Sequence, residues 1–160
     1  MSLLLSLAIA EKANSPLLLG DLRSVERKIV AAFAPSHAAS IRSLRRRVLI
    51  GDPASSRVRA TYEPPPAGVT RKLLEAFTQQ REAEINYTSA IGSETLRRVE
   101  VHYLLYSLPV WYALSWDQLR RNVRSFRVDR ISRVELQAAT FRLRAVDPFA
   151  DSVDDDIRHV

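Results

Sequence analysis

The sequence predicts an α+β protein in which an N-terminal helical segment precedes a small five-stranded antiparallel β-barrel. Two observations carry this. Apolar residues recur at three- and four-residue spacing as far as about residue 81, then at two-residue spacing from Ala83 onward. In addition, 46% hydrophobic and 26% charged residues over 160 positions is an ordinary globular balance, long enough to bury a real core.

The elements follow in order. Leu4, Leu5, Ala8 and Ile9 form one stripe of a helix over 3–13, closed by Asn14, Ser15 and Pro16. Leu22, Val25, Ile29 and Phe33 mark a second helix ending near Phe33, and Pro35-Ser36 opens a third over about 37–44. The Arg45-Arg46-Arg47 run reads as a solvated face leading into a short strand, Val48 to Ile50, which Gly51-Asp52-Pro53 turns. An extended VRATYE segment stops at Pro64, Pro65 and Pro66, because consecutive prolines favour polyproline II and cannot continue a ladder. Val69, Leu73, Leu74 and Phe77 give a helix over 69–81.

Strands are then expected from Ala83 through Tyr87, from Thr95 to Tyr106, from Val110 to Trp116, and from Val123 to Val128. The 89–93 segment is a hairpin loop, and Pro109 separates the second strand from the third. Phe126 and Val128 are two apart, Ile131 and Val134 three apart, and Val134 and Leu136 two apart again. A single 3₁₀ turn between two strands produces that phase slip, and a fifth strand runs from Val134 to Leu143. Short strands with one 3₁₀ turn before the last describe an SH3-like or Sm-like barrel. The expected organisation is a helical and dimerisation segment with a short strand at 1–59, a proline-rich linker at 60–68, a helix and barrel at 69–147, and an acidic flexible tail at 148–160.

Composition excludes several classes. The chain has no cysteine, so a disulfide scaffold, a zinc ribbon and a thiol nucleophile fall together. This fits a reducing, cytoplasmic setting. No apolar run approaches the roughly 18 residues a membrane span needs. His37, His102 and His159 lie on three different elements without metal-binding spacing, and four glycines form no phosphate-cradling loop. Neither catalysis, a metal nor a cofactor is therefore expected. Of 24 basic residues 21 are arginine, and residues 97–144 alone carry ten arginines against four acids.

Within that stretch, Arg98, then WYALSWD from Trp111 to Asp117, then RSFRVDRIS from Arg124 to Ser132, resemble the WYL domain of bacterial transcriptional regulators. Ala113 stands where that family has leucine, Val101 where proline is common and Tyr103 where glycine is common. The resemblance is specific over about 81–147. It implies a ligand-sensing barrel normally found behind an N-terminal winged helix-turn-helix, which this chain lacks. The chain accordingly reads as the sensor portion of such a regulator, as a fragment or a stand-alone unit, and as a homodimer.

The expected binding residues are Arg98, His102, Tyr112, Arg124, Arg127, Arg130 and Tyr87. Arginine presents a rigid donor fork suited to phosphate and stacks on bases. Trp111 reads as core, which places Tyr112 on the opposite, exposed or ligand-facing side of its strand. The favoured ligand is a single-stranded nucleic acid or a nucleotide-like anionic effector, and DNA is reached through the missing module. Alternatively, Arg127 and Arg130 pair with Asp117 and Asp129 and the chain is a dimerisation module without a ligand. Direct duplex binding is a third reading, disfavoured by the lack of a recognition helix.

Overall fold

The computed structural model describes residues 43, 44 and 46–158, with side chains as far as 152. The helices expected over 3–13 and up to Phe33, and most of the one over 37–44, lie outside the described residues. The chain divides into two units, 1–50 and 51–160. In the first, Ser43, Leu44 and Arg46 are helical and β1 (Val48–Ile50) is the short strand expected. Arg47, expected on a solvated face, is buried.

The second unit opens with α1 (Ser56–Ala60) in place of the extended segment expected there. Ser55 is the reason, since its Oγ accepts the Val58 N–H at 3.3 Å and caps a free helical donor. After the three prolines comes α2 (Ala67–Gln79), burying Val69, Leu73, Ala76 and Phe77 on one stripe. Gln80 ends it in the left-handed conformation, φ 51°, so β2 begins at Arg81, earlier than the alternation suggests.

Five strands follow: β2 (Arg81–Thr88), β3 (Glu94–Ser107), β4 (Val110–Asp117), β5 (Asn122–Arg127) and β6 (Ile131–Thr140). All adjacent pairs are antiparallel, in the order β5-β4-β3-β2-β6. The expected 3₁₀ turn is present at Val128–Arg130. The closed barrel is not, and this corrects the SH3-like or Sm-like expectation. The 3₁₀ turn carries the chain from the β5 edge to the far side of β2, and no ladder joins β5 to β6. The sheet stays open along that seam, where the Tyr87 ring meets Phe126 edge-on with centroids 5.0 Å apart. α2 covers β2, β3 and β6, and Phe77, Ile85, Val99, Ile131 and Val134 form the core.

Two further expectations change. Within the segment expected to be an acidic flexible tail, α3 (Asp147–Arg158) is a helix, and Phe149 is completely buried. Trp111 is half-buried and stacked on Tyr106 at 4.6 Å, while Tyr112 is the buried member of the pair. Among the described residues no helix is long and apolar enough to cross a membrane.

Candidate functional site

The β2–β3 hairpin is closed by its own hydrogen bonds. Ser89 N–H donates to the Ser93 carbonyl at 2.9 Å, Gly92 N–H to the Ser89 carbonyl at 3.0 Å, and Ser93 N–H to Ser89 Oγ at 3.0 Å. Gly92 takes φ 80°, which only glycine adopts without strain. Facing this hairpin stand β5 and the 3₁₀ turn. Between them lies a cleft of about 370 Å³, within the range of small-ligand sites. The hairpin wall presents Tyr87, Ser89, Ala90, Ile91, Ser93 and Thr95, while the facing wall presents Arg124, Ser125, Phe126, Arg127 and Arg130. Val58, Tyr112, Arg97 and Asp117 complete the lining.

Two of the four cleft arginines are neutralised within the fold. Arg97 Nη1 lies 3.3 Å from Asp117 Oδ2, and the Asp117 side chain is 1% exposed. The other Asp117 oxygen accepts the Leu119 N–H at 2.9 Å, so one carboxylate fixes both Arg97 and the β4–β5 turn. Arg127 grips Asp129 with two donors, Nη2 to Oδ2 at 2.6 Å and Nε to Oδ1 at 3.2 Å. It also donates to Thr61 Oγ1 at 3.1 Å and to the Thr61 carbonyl at 3.2 Å. Arg124, exposed, and Arg130, half-buried, have no ion pair among the described residues. Burial pushes the Tyr112 phenol above the ordinary tyrosine range, an effect Arg127 opposes and Asp129 and Tyr87 reinforce. The hydroxyl therefore remains a donor at neutral pH.

Of the seven expected residues, Tyr87, Tyr112, Arg124, Arg127 and Arg130 come together at the cleft. Arg98 and His102 do not line it. Arg98 is 51% exposed and pairs with Glu82. Arg97, which sequence reasoning passed over, occupies the place expected of Arg98. The signal for it was available in the pairing register, because Ile85 faces Arg97 and Tyr87 faces Thr95. Residues two apart share a face, so the side of the sheet that holds Tyr87 also holds Arg97.

His102 is fully buried in a separate network. Its Nδ1 accepts the Arg144 N–H at 3.2 Å, which leaves Nε2 to carry the proton donated to Glu100 Oε2 at 3.0 Å. Glu100 Oε1 accepts from Gln118 Nε2 at 2.6 Å, and Arg144 lies over the Trp116 ring at 3.8 Å. Burial raises the Glu100 pKa above its ordinary value; Arg144 and Gln118 oppose that shift and Glu82 adds to it. A carboxyl whose folded pKa is raised stabilises most below its unfolded pKa, and that contribution is lost as pH rises through the folded value. Urea unfolding of Glu100→Gln should therefore gain on the parent as pH rises from about 4 to about 7. A difference that stays flat, or moves the other way, would contradict this account of Glu100.

The fold and cleft together define a class: a small α+β domain with an open antiparallel sheet and an arginine-lined cleft at its seam. The sequence model of the WYL domain matches residues 68–136, and that stretch of the chain is similar to a WYL domain. It spans α2 through the first part of β6, including both walls of the cleft, and leaves Thr61 and α3 outside. Among solved structures the chain is similar to proteasome accessory factor B/C (PafBC) of Arthrobacter aurescens, at 23% identity and a TM-score of 0.42. That match covers 90% of this chain and 20% of the other, so the chain spans one fifth of that protein's length.

Proposed function

We propose that the chain is the effector-sensing portion of a WYL-domain transcriptional regulator and that its cleft binds an anionic ligand, a single-stranded nucleic acid or a nucleotide. The observation that carries this reading is the pair of uncompensated arginines, Arg124 and Arg130, on one wall of the cleft. Arginines kept only for stability would be neutralised as Arg97 and Arg127 are. The chemistry is binding, with no catalytic step. The regulator reaches DNA through a winged helix-turn-helix elsewhere in the assembly and acts as a cytoplasmic homodimer. Effector binding switches it only so far as the ligand prefers one arrangement of the regulator over another.

The test is fluorescence anisotropy of a labelled short oligothymidylate titrated with the chain at several salt concentrations. Arg124→Ala and Arg130→Ala should each weaken binding roughly tenfold. Each should also reduce the salt slope by about one. Far-ultraviolet circular dichroism should be unchanged. No binding of oligothymidylate or mononucleotides by the parent would overturn the reading. The buried Arg127–Asp129 and Arg97–Asp117 pairs favour a second reading, a dimerisation module without a ligand. A dimeric mass in sedimentation combined with no binding would select it.

A further inference from the structure

The two walls of the cleft differ in kind, and the difference specifies the ligand more closely. The β5 and 3₁₀ wall carries the two uncompensated cations, Arg124 and Arg130. From Tyr87 to Thr95, the hairpin residues that line the cleft include no charged group; they offer hydroxyls and apolar surface. At its tip Ile91 is 91% exposed, the most solvent-accessible large hydrophobic residue described. Isolated exposed aliphatics are common and need no special explanation. This one differs in two respects. It lies at the mouth of a cleft, and a hairpin closed by three hydrogen bonds holds it there. A flexible loop could fold such a side chain back onto the sheet, whereas this one keeps it in water.

A simple polyanion would use the arginine wall and leave the hairpin wall unfilled. A ligand that fits both must have an anionic edge and, a few ångströms away, a flat neutral edge able to take hydrogen bonds and apolar contact. A nucleotide unit has that construction. Resting on the proposed function, we infer that Ile91 is a specificity-determining residue that packs against a nucleobase while Arg124 and Arg130 hold the adjoining phosphates. Tyr87, which meets Phe126 edge-on, lines the same cleft and supplies an aromatic surface to it. Ser89, Ser93 and Thr95 line this wall with hydroxyls, which donate or accept and so tolerate different bases. The cleft thus selects single-stranded nucleotides over other polyanions, with little discrimination among bases.

The experiment compares three probes on the parent chain and on Ile91→Ser: a short oligothymidylate, an abasic oligonucleotide of equal length, and inorganic polyphosphate. Because Ile91 is exposed, the variant keeps its fold, which circular dichroism verifies. The parent is expected to bind oligothymidylate at least tenfold more tightly than the abasic strand or polyphosphate. Ile91→Ser should lose roughly fivefold on oligothymidylate and nothing on the other two. Equal binding of all three probes by the parent would overturn the base-contact inference while leaving the anion site standing. Unchanged oligothymidylate affinity in Ile91→Ser would overturn the role of this residue in the same way. If the parent binds none of the probes, the proposed function fails and the inference fails with it.

Discussion

Arg127→Ala should lower folding stability by about 3–5 kcal/mol, the cost of leaving a buried carboxylate without its partner. The Arg127 side chain is 6% exposed and that of Asp129 2%. Removing the guanidinium strands Asp129 away from water and frees the Thr61 carbonyl and hydroxyl together. One side chain thereby holds the 3₁₀ turn, which carries Arg130, to the segment following α1. Replacing both partners by apolar groups of similar size, Arg127→Met with Asp129→Leu, should recover most of the loss, because neither charge then needs solvation. Urea midpoints of the three proteins measure it. The same double variant separates two roles for Arg127. If it is a staple, oligothymidylate affinity in the folded double variant stays near the parent value. A loss as large as that of Arg124→Ala would instead make Arg127 a ligand contact.

How far the sequence foretold this arrangement depends on what each signal reports. The strands were legible because period-two alternation is local, and the 3₁₀ turn because a single phase slip betrays it. Barrel closure was not legible, since whether β5 meets β6 depends on where the chain travels after Val128, and no local pattern encodes that path. The cleft was legible in part. Arg124, Arg127 and Arg130 are legible by their clustering, but clustering cannot say which of them Asp129 neutralises. Thr61, assigned to a linker, is the partner that turns Arg127 into a staple, across 66 positions of sequence. Arg98 enters the patch through the family resemblance, whereas the β2–β3 register puts Arg97 on the cleft side. His102 was placed in the patch for its neighbours in sequence, although strand alternation puts it among Phe141, Phe149 and Glu100.

The C-terminal helix shows charge outweighing pattern. Five aspartates after residue 144 led to a solvated tail, yet Asp147-Pro148 is a helix-opening pair and Phe149, Val153 and Ile157 recur every fourth residue. The apolar stripe is present in the sequence, but the charge between its members points the other way. Its first member is the one the structure describes in full, and it is completely buried.

Phe149→Ala is therefore the second substitution expected to have a large effect, about 3–5 kcal/mol for removing a buried phenyl ring. The ring sits 4.8 Å from His102 and 5.2 Å from Tyr103, centroid to centroid, and Phe141 closes on His102 from 4.5 Å. Between the two phenylalanines, Arg144 accepts the Tyr103 hydroxyl on its carbonyl at 2.6 Å and donates its N–H to His102. The segment is thus fastened to β3 by ring packing and by two polar contacts whose β3 partners, His102 and Tyr103, are buried. A segment held in this way should unfold with the sheet. The urea midpoint should fall while the slope of stability against denaturant stays at the parent value. A reduced slope would show α3 detaching alone, as an appendage outside the cooperative unit. Because His102 touches the same ring, its truncation should not add to that of Phe149. His102→Ala combined with Phe149→Ala should cost less than the sum of the single losses by about 1 kcal/mol or more, and strict additivity would mean that the two rings stabilise the fold independently.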